Sequence, residues 1–94
     1  MDTAEDRVYR GARLLDSANP NWRDEIDLDA LDLTHIFKCV LGQLYGVYGT
    51  GLGALGLTYE SARFNGFDVW DDPDIDVDED VGNLDDAWRA EITS

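Results

Sequence analysis

The chain has 94 residues, with 7 Lys+Arg against 21 Asp+Glu for a net charge of −14, and 44% hydrophobic residues that include three Trp, four Tyr and three Phe. That length holds one domain and excludes a large multi-domain enzyme, and that apolar content is too high for a disordered acidic tail. The charge repels phosphate backbones and anionic lipid headgroups, so direct nucleic-acid or membrane binding is disfavoured and basic partners are favoured.

Residues 4–15 put Ala4, Val8, Ala12 and Leu15 on one stripe with Leu14 beside it, the pattern of an amphipathic helix. Thr3 is its expected N-cap, with Glu5 and Asp6 in the first turn where the helix dipole favours acids. Asn19-Pro20-Asn21 ends it, since proline has no N–H and restricts the residue before it. From Trp22 to Leu33 helical and strand periods mix, which predicts a short helical turn and then an irregular segment. The interleaved Asp24, Glu25, Asp27, Asp29 and Asp32 point to water in either case.

Thr34 reads as the cap of a central helix in which Ile36, Val40 and Leu44 recur every four residues, joined by Phe37, Leu41, Tyr45 and Tyr48. This is expected to be the most buried helix. Gly49-Thr50-Gly51 looks like a break, followed by a short piece carrying Leu52, Leu55 and Leu57. Thr58 is expected to cap another short helix with Ala62 and Phe64 packed inward, and Asn65-Gly66 supplies a left-handed residue at its end. Residues 68–81 crowd eight carboxylates around Pro73, which predicts an exposed, mobile acidic loop. Asn83 then caps a last helix in which Leu84, Trp88 and Ile92 repeat and Trp88 anchors the core. The sum is an all-α fold: one helical bundle over 1–94, about four short helices, with an acidic loop before the last.

Cys39 to Tyr59 has no charged side chain over 21 residues, long enough to cross a bilayer. Its six glycines, with Gln43 and Thr50, favour burial inside protein instead. The single cysteine allows no intramolecular disulfide, and Met1 to Asp6 shows no signal-peptide pattern, so a reducing cytoplasm is expected. Sixteen Asp to five Glu and six Arg to one Lys fit a GC-rich genome or a salt-adapted host.

Chemical motifs are sparse. Gly51-Leu52-Gly53-Ala54-Leu55-Gly56 matches G-x-G-x-x-G, but it follows a helix and not a strand, so a tight turn or close helix approach explains it better than nucleotide binding. Gly42 and Gly46 share the small-residue spacing that admits a homodimer through that face. His35 and Cys39 are four apart, yet a zinc site needs three or four ligands. The ladder Asp72, Asp74, Asp76, Asp78 resembles a calcium loop, but Val77 stands where the loop needs glycine and Asn83 where it needs glutamate. No serine, histidine or carboxylate constellation meets the geometry of catalysis. No enzyme activity and no cofactor are expected.

The segment Ile26-Asp27-Leu28-Asp29-Ala30-Leu31-Asp32-Leu33, followed by Cys39-Val40-Leu41-Gly42-Gln43-Leu44-Tyr45-Gly46, resembles a group of small open reading frames in actinobacterial phages and prophages. Pro20-x-Trp22, Gly66-Phe67 and Ala87-Trp88-Arg89-Ala90-Glu91-Ile92 extend the resemblance over nearly the whole chain. It implies an origin and carries no activity to any residue, and the acidic stretch 71–80 is longer than it leads one to expect. The reading is a cytoplasmic accessory protein that binds a host or phage protein with a basic surface. Trp22 and Trp70, with Tyr9 and Tyr48 if exposed, are its candidate anchors, and Asp71, Asp72, Asp74, Asp76 and Asp78 its candidate charges. The rivals are a nucleic-acid mimic that occupies the groove of a DNA-binding protein and a minor virion component.

Overall fold

In the computed structural model, which describes residues 3–69, 74 and 76–93, the chain opens with α1 (Ala4–Ala18). Thr3 caps it reciprocally: the Thr3 hydroxyl accepts from the Asp6 N–H at 3.1 Å, and the Asp6 carboxylate accepts from the Thr3 N–H at 3.2 Å. The turn expected at Trp22 is α2 (Trp22–Glu25), and α3 (Val40–Tyr45), α4 (Tyr48–Leu55), α5 (Tyr59–Phe64) and α6 (Val77–Thr93) follow. Among the described residues the fold is all-α without strands, but it has six helices and not about four. The additional two are the short α2 and the division of the central run into α3 and α4. Two segments also differ in their bounds.

The first is the central helix, which starts later than its periodicity suggests. Ile36 and Phe37 lie in a turn and are 52% and 56% exposed. Side chains there take the backbone donors that a helix would use: the Asp32 carboxylate accepts from the Thr34 N–H at 3.0 Å, and His35 Nδ1 accepts from the Phe37 N–H at 3.1 Å. The Ile36 carbonyl accepts from the distant Tyr48 N–H at 2.8 Å. Cys39, and not Thr34, caps α3, its Sγ accepting from the Gly42 N–H at 3.3 Å. The break comes at Gly46, where φ is 92°, while Gly49-Thr50-Gly51 lies inside α4.

The second is the stretch expected to be an acidic loop over 68–81, whose last residues are helical. Asp76 accepts from the N–H groups of Asp78 and Glu79 at 3.1 and 3.3 Å, so α6 begins at Val77 and Asn83 sits exposed within it. Repulsion does not melt this turn because acids at a helix N-terminus face a positive dipole end and because Asp80 meets a buried arginine.

Trp88 anchors the core, as its spacing on the last helix suggests. It is 0% exposed, with Trp22 edge-on at 5.8 Å and Phe67 stacked at 5.3 Å. Its Nε1–H donates to the Gly66 carbonyl at 2.7 Å, and the Trp22 Nε1–H donates to Asp16 Oδ1 at 2.9 Å, so both buried indoles are satisfied. Trp22 is therefore a core residue with no surface left to offer, a correction to its reading as a partner anchor. α1 packs against α6 and α5, and α3 packs against α4 and α2. Gly11 permits the first of these: a Cβ there would stand 2.1 Å from the Asn65 carbonyl oxygen and 3.1 Å from the rings of Phe67 and Trp88. Phe64, expected inside, is 49% exposed, with the Arg10 guanidinium 3.7 Å above its ring. The apolar run from Cys39 to Tyr59 folds into α3 and α4, and no helix among the described residues is long and apolar enough to cross a membrane.

Arg7, 1% exposed, ties α1 to the far end of the chain. Nε donates to the Arg63 carbonyl at 2.8 Å, Nη2 to the Asp68 carbonyl at 2.7 Å and Nη1 to Asp80 Oδ1 at 2.7 Å. Removing one partner of a buried ion pair strands the other charge. Asp80→Ala should cost about 3–5 kcal/mol of stability in urea unfolding, and Asp80→Asn, which keeps an acceptor, clearly less. Gly11→Ala should cost about 1–3 kcal/mol by overpacking in the same assay.

Candidate functional site

The seven cations decide what the surface looks like. All six arginines bind acceptors of their own chain. Arg10 donates to the Phe64 carbonyl, Arg13 and Arg23 share Asp16 and Glu91, and Arg63 donates to the Val69 carbonyl. Arg89 pairs with Asp85 and donates to the Leu28 and Leu31 carbonyls. Exposed carboxylates such as Glu5, Asp24, Glu25, Asp29, Asp78, Glu79 and Asp86 are left facing solvent.

Some acids nevertheless do local structural work. Hydrogen bonds from the Thr34 hydroxyl and N–H hold the Asp32 carboxyl below its usual range, and the Trp22 indole and Arg23 do the same for Asp16. Asp76 is a helix cap. Carboxylates used in this way are less free to serve as a row of charges read by a partner.

A cleft of about 270 Å³ opens between the 33–39 turn and the 67–69 segment, with Tyr48 at the start of α4. Leu33, Ile36, Phe67 and Val69 make its walls apolar. The turn is stapled by Gln43: its amide Nε2 donates to the Asp27 and Lys38 carbonyls at 3.1 and 2.9 Å, and its Oε1 accepts from the Asp27 N–H at 2.6 Å. The opposite wall is held by Arg7 on the Asp68 carbonyl and Arg63 on the Val69 carbonyl, together with the Phe67 N–H on the Ala62 carbonyl at 2.9 Å.

Inside the cleft, the Tyr48 hydroxyl donates to Asp68 Oδ2 at 2.8 Å, and Asp68 Oδ1 accepts from the Val69 N–H at 2.8 Å. Burial first, and then the hydrogen bond and charge of Asp68, push the Tyr48 phenol above its ordinary value, so it stays a neutral donor. Burial also pushes the Cys39 thiol up, and its sulfur is occupied in capping α3. A protonated thiol is a poor nucleophile. His35, exposed at the lip, turns Nδ1 to a backbone N–H and its ring toward Phe37, 5.8 Å between centroids. The cleft thus sets a carboxylate acceptor in an apolar wall beside exposed Ile36 and Phe37.

Other exposed aromatics are less free. Tyr9 and Phe64 lie under the guanidinium groups of Arg13 and Arg10, and Tyr59 leans on Tyr48 with ring centroids 6.4 Å apart. Of the residues singled out by sequence, Asp74, Asp76 and Asp78 are exposed near the start of α6, whereas Trp70, Asp71 and Asp72 lie outside the described residues. The Gly42 and Gly46 pair makes no face for a second copy: Gly42 is buried against the Ile36 carbonyl, where a Cβ would stand 2.3 Å from the oxygen, and Gly46 terminates α3. His35 and Cys39 gather no third ligand, and no group of three metal-binding side chains occurs among the described residues. Sequence reasoning named Tyr48 only among the aromatics that could anchor a partner if exposed, and missed Asp68 and Gln43 as site residues. The contacts that define their roles, Gln43 with Asp27 and Tyr48 with Asp68, span 16 and 20 positions, beyond any local period.

No protein-family model, curated protein or solved structure matches the chain.

The Tyr48 shift has a consequence for stability. The folded state holds that proton more tightly than the unfolded state, so the contribution is complete below the ordinary phenol value of about 10 and is lost as pH rises above it. Denaturant midpoints of the wild type should therefore fall above about pH 10 more steeply than those of Tyr48→Phe.

Proposed function

We propose that this chain is a small accessory protein of the phage type that acts by binding a basic protein surface and performs no catalysis of its own. The contact is made by Ile36, Phe37 and the cleft beside them. The observation that carries this reading is the pairing of two large, uncovered apolar side chains, 52% and 56% exposed, with a cleft that holds a carboxylate. Holding such side chains in water is unfavourable for the isolated chain, and burying them under a partner recovers about 25 cal/mol per Å² of apolar surface. The arginines engaged within the fold leave a net negative exterior that steers basic partners toward it and slows encounter with nucleic acid.

Affinity capture from host lysate, with washes at low and high salt, tests this with two variants. Ile36→Ser combined with Phe37→Ser should leave the thermal midpoint within a degree or two, because both side chains are exposed, and should abolish retention of a salt-resistant partner. Interface anchors of this kind are worth about 2 kcal/mol or more. Asp74, Asp76 and Asp78 changed together to Asn should alter retention only weakly, as expected for exposed charges. A partner insensitive to the first variant and lost with the second, or released by salt, would sink the apolar-contact reading and favour nucleic-acid mimicry.

A further inference from the structure

We infer that the cleft receives a cationic side chain, an arginine or lysine on a basic segment of the partner, with its alkyl stem along Leu33, Ile36 and Val69 and its charged end on the Asp68 carboxylate. This rests on the reading of the cleft as the protein-binding site. Asp68 is half-buried, yet no cation among the described residues pairs with its carboxylate; its contacts are the neutral Tyr48 hydroxyl and the Val69 N–H. The arginines of that wall, Arg7 and Arg63, are tied to the backbone carbonyls of Asp68 and Val69 instead. Two neutral donors leave the negative charge in place, and a carboxylate has about four lone-pair sites, so further donors can be accepted. A partly desolvated charge attracts a counter-charge more strongly than an exposed one, because less water screens it.

The shape agrees with the charge. A volume of about 270 Å³ falls just below the roughly 300–1,000 Å³ of sites that bury a drug-sized ligand, and it suits one long side chain. Apolar walls ending in a carboxylate match arginine and lysine, which lay hydrocarbon stems on apolar surface and present charge at the tip. An anionic occupant would be repelled by Asp68, and a purely apolar one would desolvate it further with no counter-charge.

The test is an NMR titration of the isotopically labelled protein with a short peptide of alternating leucine and arginine, and with a counterpart carrying glutamine for arginine. The arginine peptide alone should produce saturable amide shifts at residues 33–37 and 67–69. Asp68→Asn, which keeps the side-chain shape, should weaken that peptide about tenfold. Asp86→Asn, which removes the same charge from an exposed place on α6, should weaken it less than about twofold. Ile36→Ser, at an exposed position that leaves the fold intact, should weaken it about threefold or more.

Equal losses in the two Asp variants, equal binding of the glutamine peptide, shifts centred elsewhere or none at millimolar peptide would each overturn the inference. Cleft shifts that grow with protein concentration and no peptide would overturn it in favour of a second copy. If the peptide result fails while partner capture through Ile36 and Phe37 holds, only the cationic anchor is rejected. The reverse outcome rejects the accessory-protein reading and leaves the cleft's preference standing.

Discussion

The buried guanidinium of Arg7 is the constraint on which the rest of the fold depends, because a cation removed from water must have its donors satisfied by groups brought from elsewhere in the chain. It takes carbonyls at Arg63 and Asp68 and the carboxylate of Asp80, which lie 56, 61 and 73 positions away. One side chain on α1 thereby sets where α5 ends, how the 67–69 segment runs and where the first turn of α6 docks. The 67–69 segment is also one wall of the cleft. The site and the fold share a single electrostatic anchor.

The same use of arginine shapes the surface. Each guanidinium that stitches one element to another satisfies a carbonyl or a carboxylate in the interior or along a seam, as Arg89 does between α6 and the irregular 28–31 segment. In a chain with three acids for every base, this leaves the outer face dominated by uncompensated carboxylates. The negative field follows from the composition and does not by itself identify a reader of charge. The proposed contact lies instead where charge and apolar surface meet, at Asp68 beside Ile36.

The cleft also depends on local competition for backbone donors. Asp32, His35 and Gln43 bind N–H and carbonyl groups of the 27–38 segment and hold it out of helix. That interruption turns Ile36 and Phe37 outward. A regular helix from Thr34 onward would have buried that stripe.

Much of the framework was legible locally. Thr3 and Thr58 cap their helices through side-chain bonds three residues away, the stripe of α1 follows a 3.6-residue period, Gly66 supplies a left-handed residue with φ of 77°, and Trp88 anchors the last helix. Each depends on neighbours within one or two turns, so the sequence by itself determined an all-α domain with these ends and an acidic exterior. Tertiary structure decided the rest. Trp22 was buried by Trp88, 66 positions on, α6 was extended toward Asp76 with Arg7 holding Asp80, and Tyr48 and Asp68 were joined into a site. Those outcomes depend on which distant group supplies a donor or a counter-charge, and no local pattern encodes that.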